Sequence, residues 1–363
     1  MRIPIAIYPF CAEILPVVKT FDKLQELYTI NRLISPSGFG MTGYDAGYIC
    51  NHPDTGIVVT DEFDFDSMEW TTLILFEPIM LKEKISYSYE TIAEQALQSG
   101  KYVIFLGSSV KVKNQLNKLS DTYPDRIEIR TYLDSFSKST FEKAQVFHEA
   151  EIPIILVGGL IEEADTFEVL LKLAAKAKEE NVKALVFSKH PIAELLDFHN
   201  INHIWECTTY TEVQKIESIN NYINNKVESL RPEVIFLEAP DAIMRFTDFA
   251  PNGFGVRTFM ICQAVTPDQF VCCLPFEFAV NKFISKISDG FERTLGSPIT
   301  AVHVSNVFMD AQEIILTHDI SIVRNNLKFV HDQLLKESEY SQIPMHDVVT
   351  DGIDAIYNDL FEN

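Results

Sequence analysis

The chain has 363 residues, is 47% hydrophobic with 26 Phe, and carries a formal net charge of −22 from 52 acids against 30 bases. Such a length exceeds one ordinary core and predicts two or three domains, while the apolar content excludes a disordered chain. The acidic balance excludes sequence-independent nucleic-acid binding and attachment to anionic membranes, both of which need clustered cations. It fits either plain solubility or a basic peptide or protein partner.

In chain order, short β-rich runs are predicted at 3–8, 26–34, 56–59, 71–76, 102–106 and 126–130, then at 152–157, 184–187, 233–237, 269–273 and 300–304. Runs such as Val103-Ile-Phe-Leu106 and Val234-Ile-Phe-Leu237 are apolar on successive residues, as strands covered on both faces must be. Helical periodicity falls between them at 89–98, 167–179, 211–227, 280–295 and 325–336. The alternation predicts an α/β fold of doubly wound, mostly parallel sheets in two or three Rossmann-like or P-loop-like domains. The expected division is an N-terminal domain at 1–135, a linker at 136–149 and a second domain at 150–363. In the second, residues from about 241 onward extend the sheet or form their own layer, and 337–363, rich in acids and without Lys or Arg, reads as an acidic tail.

The N-terminal ten residues lack the apolar core and cleavage site of a signal peptide, and no run approaches about 18 apolar residues. Six cysteines show no C-x-x-C pair and mostly sit in apolar stretches. A cytoplasmic location is the expectation.

The most informative motif follows the predicted strand at 152–157. Gly158 and Gly159 open the run Gly159-Leu-Ile-Glu-Glu-Ala-Asp-Thr166, which has the length of a phosphate-binding loop. Ala164 and Asp165 stand where that loop needs Gly and Lys, and Glu162 and Glu163 add negative charge that opposes a bound anion. The segment reads either as a degenerate P-loop or as a strand–turn–helix that never held nucleotide.

A second concentration of signal lies after the strand at 26–34. Gly38, Gly40, Gly43 and Gly47 cluster there, and glycine serves where φ is positive or a backbone or ligand comes close. Strand carboxyl ends are where open α/β sheets bind ligands. Asp45 in this loop would accept from a ligand donor or cap the next turn. A third candidate, after the strand at 233–237, joins Glu238, Asp241, Arg245 and Arg257, with the arginines gripping a carboxylate or phosphate or forming a salt-bridged lip. No metal site, cofactor or catalytic nucleophile is indicated. Whether the protein is an enzyme stays open.

Ser35-Pro-Ser-Gly-Phe-Gly40 with Asp45-Ala-Gly-Tyr48, and Asn252-Gly-Phe-Gly255 followed by Gln263-Ala-Val-Thr-Pro-Asp268, resemble a family of accessory proteins from clostridial-type peptide-maturation operons. Such proteins are found beside a radical-SAM enzyme and a small precursor peptide. The stretch from Gly159 to Glu168 and then Asp197-Phe-His199 also fits the family, whose middle region looks like a dethiobiotin-synthetase-type P-loop fold with a diverged loop. The chain departs from the pattern at Thr166, where the family tends to keep Lys, and at Pro240-Asp-Ala-Ile-Met-Arg245, where two family glycines are missing. The resemblance implies a non-catalytic accessory or scaffold protein binding a precursor peptide or its modifying enzyme, with a homo-oligomer compatible. The alternative is a ligase, transferase or ligand sensor working between the 38–47 loop and the 240–257 region.

Overall fold

The successive apolar runs do form strands covered on both faces. The computed structural model describes residues 2–50, 52–79, 89–131, 147–338 and 341–361. Two compact units divide the chain: residues 1–137 with 190–203, and residues 138–189 with 204–363.

In the first unit, β1 (Ile3–Tyr8), β2 (Tyr28–Ile34), β3 (Val59–Thr60), β4 (Thr72–Phe76), β5 (Tyr102–Gly107) and β6 (Ile127–Thr131) form one sheet in the order β3-β2-β1-β4-β5-β6. Every pairing is parallel, and the order is that of a Rossmann fold, with its switch point between β1 and β4. The connecting helices are α1 (Leu15–Leu24), α2 (Ala46–Ile49), α3 (Tyr89–Gln98) and α4 (Val110–Thr122). Periodicity locates α3 and misses α4, which buries only Leu116 and so carries almost no apolar stripe. At the carboxyl end of β1, Glu13 accepts from the Ile79 amide at 2.8 Å and meets His190 Nδ1 at 2.9 Å. Gln25 donates to the Leu195 carbonyl, so residues 190–203 are hydrogen-bonded into this unit.

In the second unit, β7 (Ile154–Gly159), β8 (Ala184–Ser188), β10 (Val234–Glu238), β11 (Gln269–Pro275), β12 (Ile299–Ser305) and β15 (Met345–His346) run in the order β15-β12-β11-β7-β10-β8, again all parallel. The short strand β9 (His199–Asn200) belongs to the residues grouped with the first unit. An antiparallel hairpin joins β13 (Val307–Met309) to β14 (Ile322–Arg324). Helices α5 (Thr166–Glu179), α6 (Asn202–Glu206), α7 (Glu212–Leu230), α8 (Val256–Ala264) and α9 (Asn281–Thr294) are followed by α10 (Ala311–Thr317), α11 (Leu327–Ser338), α12 (Val348–Asp351) and α13 (Asp354–Phe361). Residues beyond 241 therefore extend the second sheet through β11, β12 and β15.

Of the expected linker at 136–149, residues 136–146 lie outside the described residues. Just after it, Asn220 clasps His148, donating to its carbonyl at 2.6 Å and accepting from its amide at 3.2 Å. The acidic stretch from 337 onward is not a solvated tail where it is described. β15 pairs with β12, and α13 buries Ile356, Tyr357 and Leu360. Two of its acids have partners: Asp354 meets Lys176 of α5 at 2.9 Å, and Asp359 meets His346 at 2.7 Å. Composition misled because the apolar residues between the acids recur at helical spacing and supply the burying face. Among the described residues no helix is long and apolar enough to cross a membrane.

Ile356 is fully buried, so Ile356→Ala should cost about 2–4 kcal/mol in urea unfolding. A solvated tail would leave the transition unmoved.

Candidate functional site

The loop joining β7 to α5 has the length and the strand-to-helix placement of a phosphate-binding loop and a different residue set at its end. Gly159 is required there, because a Cβ would stand 2.8 Å from both Ile161 O and Thr166 Oγ1. At Gly158 a Cβ would meet the side chains of Ile243 and Ala239 at 2.7 and 2.8 Å. Thr166 is buried with its hydroxyl against the Cys273 thiol. Asp165 takes a left-handed backbone (φ 60°) at the start of α5, and its carboxylate turns inward.

Three groups hold that carboxylate. Arg324 Nη1 donates to Oδ1 at 3.1 Å, Ser305 Oγ to Oδ2 at 2.5 Å, and His303 Nε2 lies 3.4 Å from Oδ2. The Val348 amide donates to His303 Nδ1 at 3.2 Å, which leaves the imidazole proton on Nε2, facing Asp165. Burial alone would raise the Asp165 pKa, but Arg324, His303 and Ser305 reverse this and hold it far below the ordinary carboxylate range. Arg324 also bonds the Asn306 side chain and the Glu163 carbonyl. The helix terminus that would face a phosphate thus has a fixed internal anion beside it.

The acids expected to repel a ligand are handled separately. Glu162 pairs with Lys189 at 3.3 Å. Burial opposes the Lys189 charge, but Glu162, Glu238 and Asp241 hold its pKa above the ordinary value. Glu238 is wholly buried at the end of β10 and accepts from Ser188 Oγ at 2.6 Å and from the Lys189 amide at 3.1 Å.

Beside these groups a cavity of about 440 Å³ opens, lined by Glu162, Trp205, Lys215, Asp241, Arg257 and Met260 among others. It lies just beyond the carboxyl end of β10, where an open α/β sheet offers a ligand crevice. Asp241 is spent on structure: it accepts from the Arg257 and Thr258 amides at 3.1 and 2.9 Å and from Thr258 Oγ1 at 2.6 Å, capping α8. The Arg257 guanidinium lies over the Trp205 ring at 5.9 Å. Lys215 meets Glu212 at 3.0 Å. The wall therefore offers an aromatic plate with cations and carboxylates, and its charges are near balance.

The two arginines do not converge. Arg257 lines this cavity, whereas Arg245 pairs with exposed Asp248 and lines a separate apolar groove. A shared bidentate grip is thus replaced by two sites that meet at Val256. In the first unit, Gly38, Gly40 and Gly43 have φ of 87°, 71° and 86°, and Gly47 is excluded from any substitution by Pro53 O, 2.0 Å from where a Cβ would sit. Asp45 caps α2 and is saturated by its own chain, accepting from the Gly47, Thr55 and Gly56 amides at 2.7–2.8 Å. Burial would raise its pKa, but those amides lower it. Of the two roles expected for Asp45, the structure shows the cap.

Sequence reasoning misses Arg324, Ser305 and His303, which reach Asp165 from more than a hundred residues away without a local signal. Trp205 is missed because it sits outside any glycine-rich or charged motif. Lys189 had a signal in its position directly after a strand. Among the described residues no group of three or more His, Cys, Asp or Glu could hold a metal ion.

Removing the Asp165 charge strands Arg324, which is a quarter exposed, so Asp165→Asn should lose about 2–4 kcal/mol at neutral pH. The folded pKa lies below the unfolded value of about 3.9, so this contribution is complete above that value and is lost progressively as pH falls from it toward the folded pKa. Urea unfolding of wild type and variant should therefore differ at pH 7 and converge on acidification; a constant gap would remove the ionic account.

No family model matches the chain, and no curated protein does. A solved structure does: the chain is similar to a DUF1611 family protein from Anabaena variabilis, with a TM-score of 0.61, 12% identity and 100% of each chain covered. At that identity the likeness is one of fold, and it agrees with the parallel Rossmann-like sheets described above.

Proposed function

We propose that this is a non-catalytic accessory protein in the maturation of a ribosomally made peptide, holding the precursor peptide or its modifying enzyme in the cytoplasm. The family resemblance supplies that role. The observation that carries its non-catalytic part is the buried Asp165 carboxylate, bonded to Arg324 and Ser305, at the position where a phosphate-binding loop keeps its Lys. A triphosphate there would meet a fixed negative charge, and Arg324 from β14 is already committed to that carboxylate.

A second reading, a small-molecule enzyme or sensor, is favoured by the cavity at Trp205, Lys215 and Arg257. Its mixed charges and aromatic plate suit a small polar ligand better than a polyphosphate.

Binding to the native state must stabilise it, by about 2.7 kcal/mol at a hundred times Kd. Mg-ATP at millimolar concentration should leave the melting temperature unchanged, and a saturable rise would overturn the degenerate-loop argument. A tagged pull-down from the native host, read by mass spectrometry, should recover a short peptide or its modifying enzyme. Recovery of a metabolite alone would transfer the assignment to the second reading.

A further inference from the structure

α8 is packed on one side only. Thr258, Met260, Ile261, Cys262 and Ala264 are buried, while Val256 and Phe259 stay about half exposed, at 53% and 46%. Phe254, on the turn before the helix, is 57% exposed. These side chains border a groove of about 540 Å³ against α9, floored by Ile243, Ile287, Phe291 and Leu295. That volume accommodates several apolar side chains of a partner.

Two features show that the groove is built. Asn252, Gly253, Phe254 and Gly255 all have positive φ, from 50° to 72°. For a bulky residue such as Phe254 that conformation is costly, and such strain concentrates at ligand clamps. Gly255 permits the turn: a Cβ there would stand 2.8 Å from the Ile243 carbonyl carbon and oxygen. On the facing helix, Gly290 sits inside α9, where Gly costs about 1 kcal/mol relative to Ala. A Cβ at Gly290 would meet nothing within 4 Å, so the residue leaves open space on the groove wall.

The charge of the lining selects the occupant. In a chain of net charge −22, both charged residues on the groove are cations, Arg245 and Lys286. Arg245 pairs with Asp248, but both are largely exposed, so that contact is weak and exchangeable. Lys286 projects from α9 one turn before Gly290.

We propose that the α8–α9 groove docks an apolar segment of the peptide partner bearing Asp or Glu beside its apolar side chains, in the manner of a helix laid into a groove. The proposal rests on the peptide-binding reading above and gives it a site and a partner chemistry. It also separates local from global charge: the partner's docking segment is acidic although the protein as a whole is acidic.

The test uses the full chain and two synthetic amphipathic peptides with one Leu/Phe face, edged by Glu in one and Lys in the other. Fluorescence anisotropy at low salt should show the Glu-edged peptide bound about tenfold tighter or more, a difference of about 1.4 kcal/mol. Gly290→Trp should fill the groove and weaken that peptide by at least about tenfold, while Gly290→Ala binds as wild type and melts no lower. Lys286→Glu, an exposed change with little risk to folding, should erase the preference between peptides. Equal binding of the two peptides by wild type, or an unchanged preference in Lys286→Glu, overturns the proposal. So does self-association of the wild type that Gly290→Trp abolishes, because a second copy would then be the occupant. The host pull-down, repeated with Gly290→Trp, separates the two levels. A peptide recovered equally by both proteins overturns the groove and leaves the accessory role standing. Groove-dependent probe binding with neither peptide nor modifying enzyme recovered upholds the groove and overturns the maturation role.

Discussion

The buried carboxylate of Asp165 fixes the geometry of the second unit's loop region. It receives Arg324 from β14, and Ser305 and His303 from β12, so one side chain ties the β7–α5 turn to a strand two places away and to the β13–β14 hairpin. An isolated carboxylate could not remain ionised there; the three donors together make burial tolerable. Arg324 extends the tie by bonding Asn306 and the Glu163 carbonyl, and His303 extends it to the Val348 amide. The same network converts a loop suited to anions into one that supplies its own.

Much of the fold was legible because its strands are apolar on successive residues. β1 and α3 fall on their predicted limits, and β5 and β10 differ by a residue. Some elements escaped because they bury little or depend on distant partners. α4 hides one side chain, Leu116. β3, predicted at 56–59, is two residues long at Val59–Thr60 and pairs only along the edge of β2. The acidic C-terminal stretch looked solvated because it carries seven acids and no Lys or Arg, although its apolar residues line one helix face. For the candidate sites, the glycine clusters and the Asp241–Arg257 pair were visible as motifs. Their uses were not, since whether Asp45 or Asp241 faces a ligand or its own backbone depends on where amides arrive from elsewhere in the loop.

Net charge is a poor guide to any single surface here. Acids dominate the chain, yet the charged residues lining the groove between α8 and α9 are both cations, and the cavity at Trp205 is close to neutral. Beyond about 10 Å, screening at ordinary ionic strength makes the local lining, and not the global sum, what a docking segment meets. The 252–257 stretch serves both places, with Phe254 turned toward the groove and Arg257 toward the cavity. A change in the 252–255 turn is thus positioned to alter both at once.

The membership of residues 190–203 in the first unit bears on how the protein can be dissected. A fragment ending at the apparent linker would contain the whole β3-β2-β1-β4-β5-β6 sheet and still be incomplete. It would lose His190 opposite Glu13 and the Leu195 carbonyl that receives Gln25, leaving two polar side chains short of interior partners. The unit is contiguous in space but not in sequence, so β7, α5 and β8 must be synthesised before it can close. Modularity in this protein belongs to the fold and not to the gene.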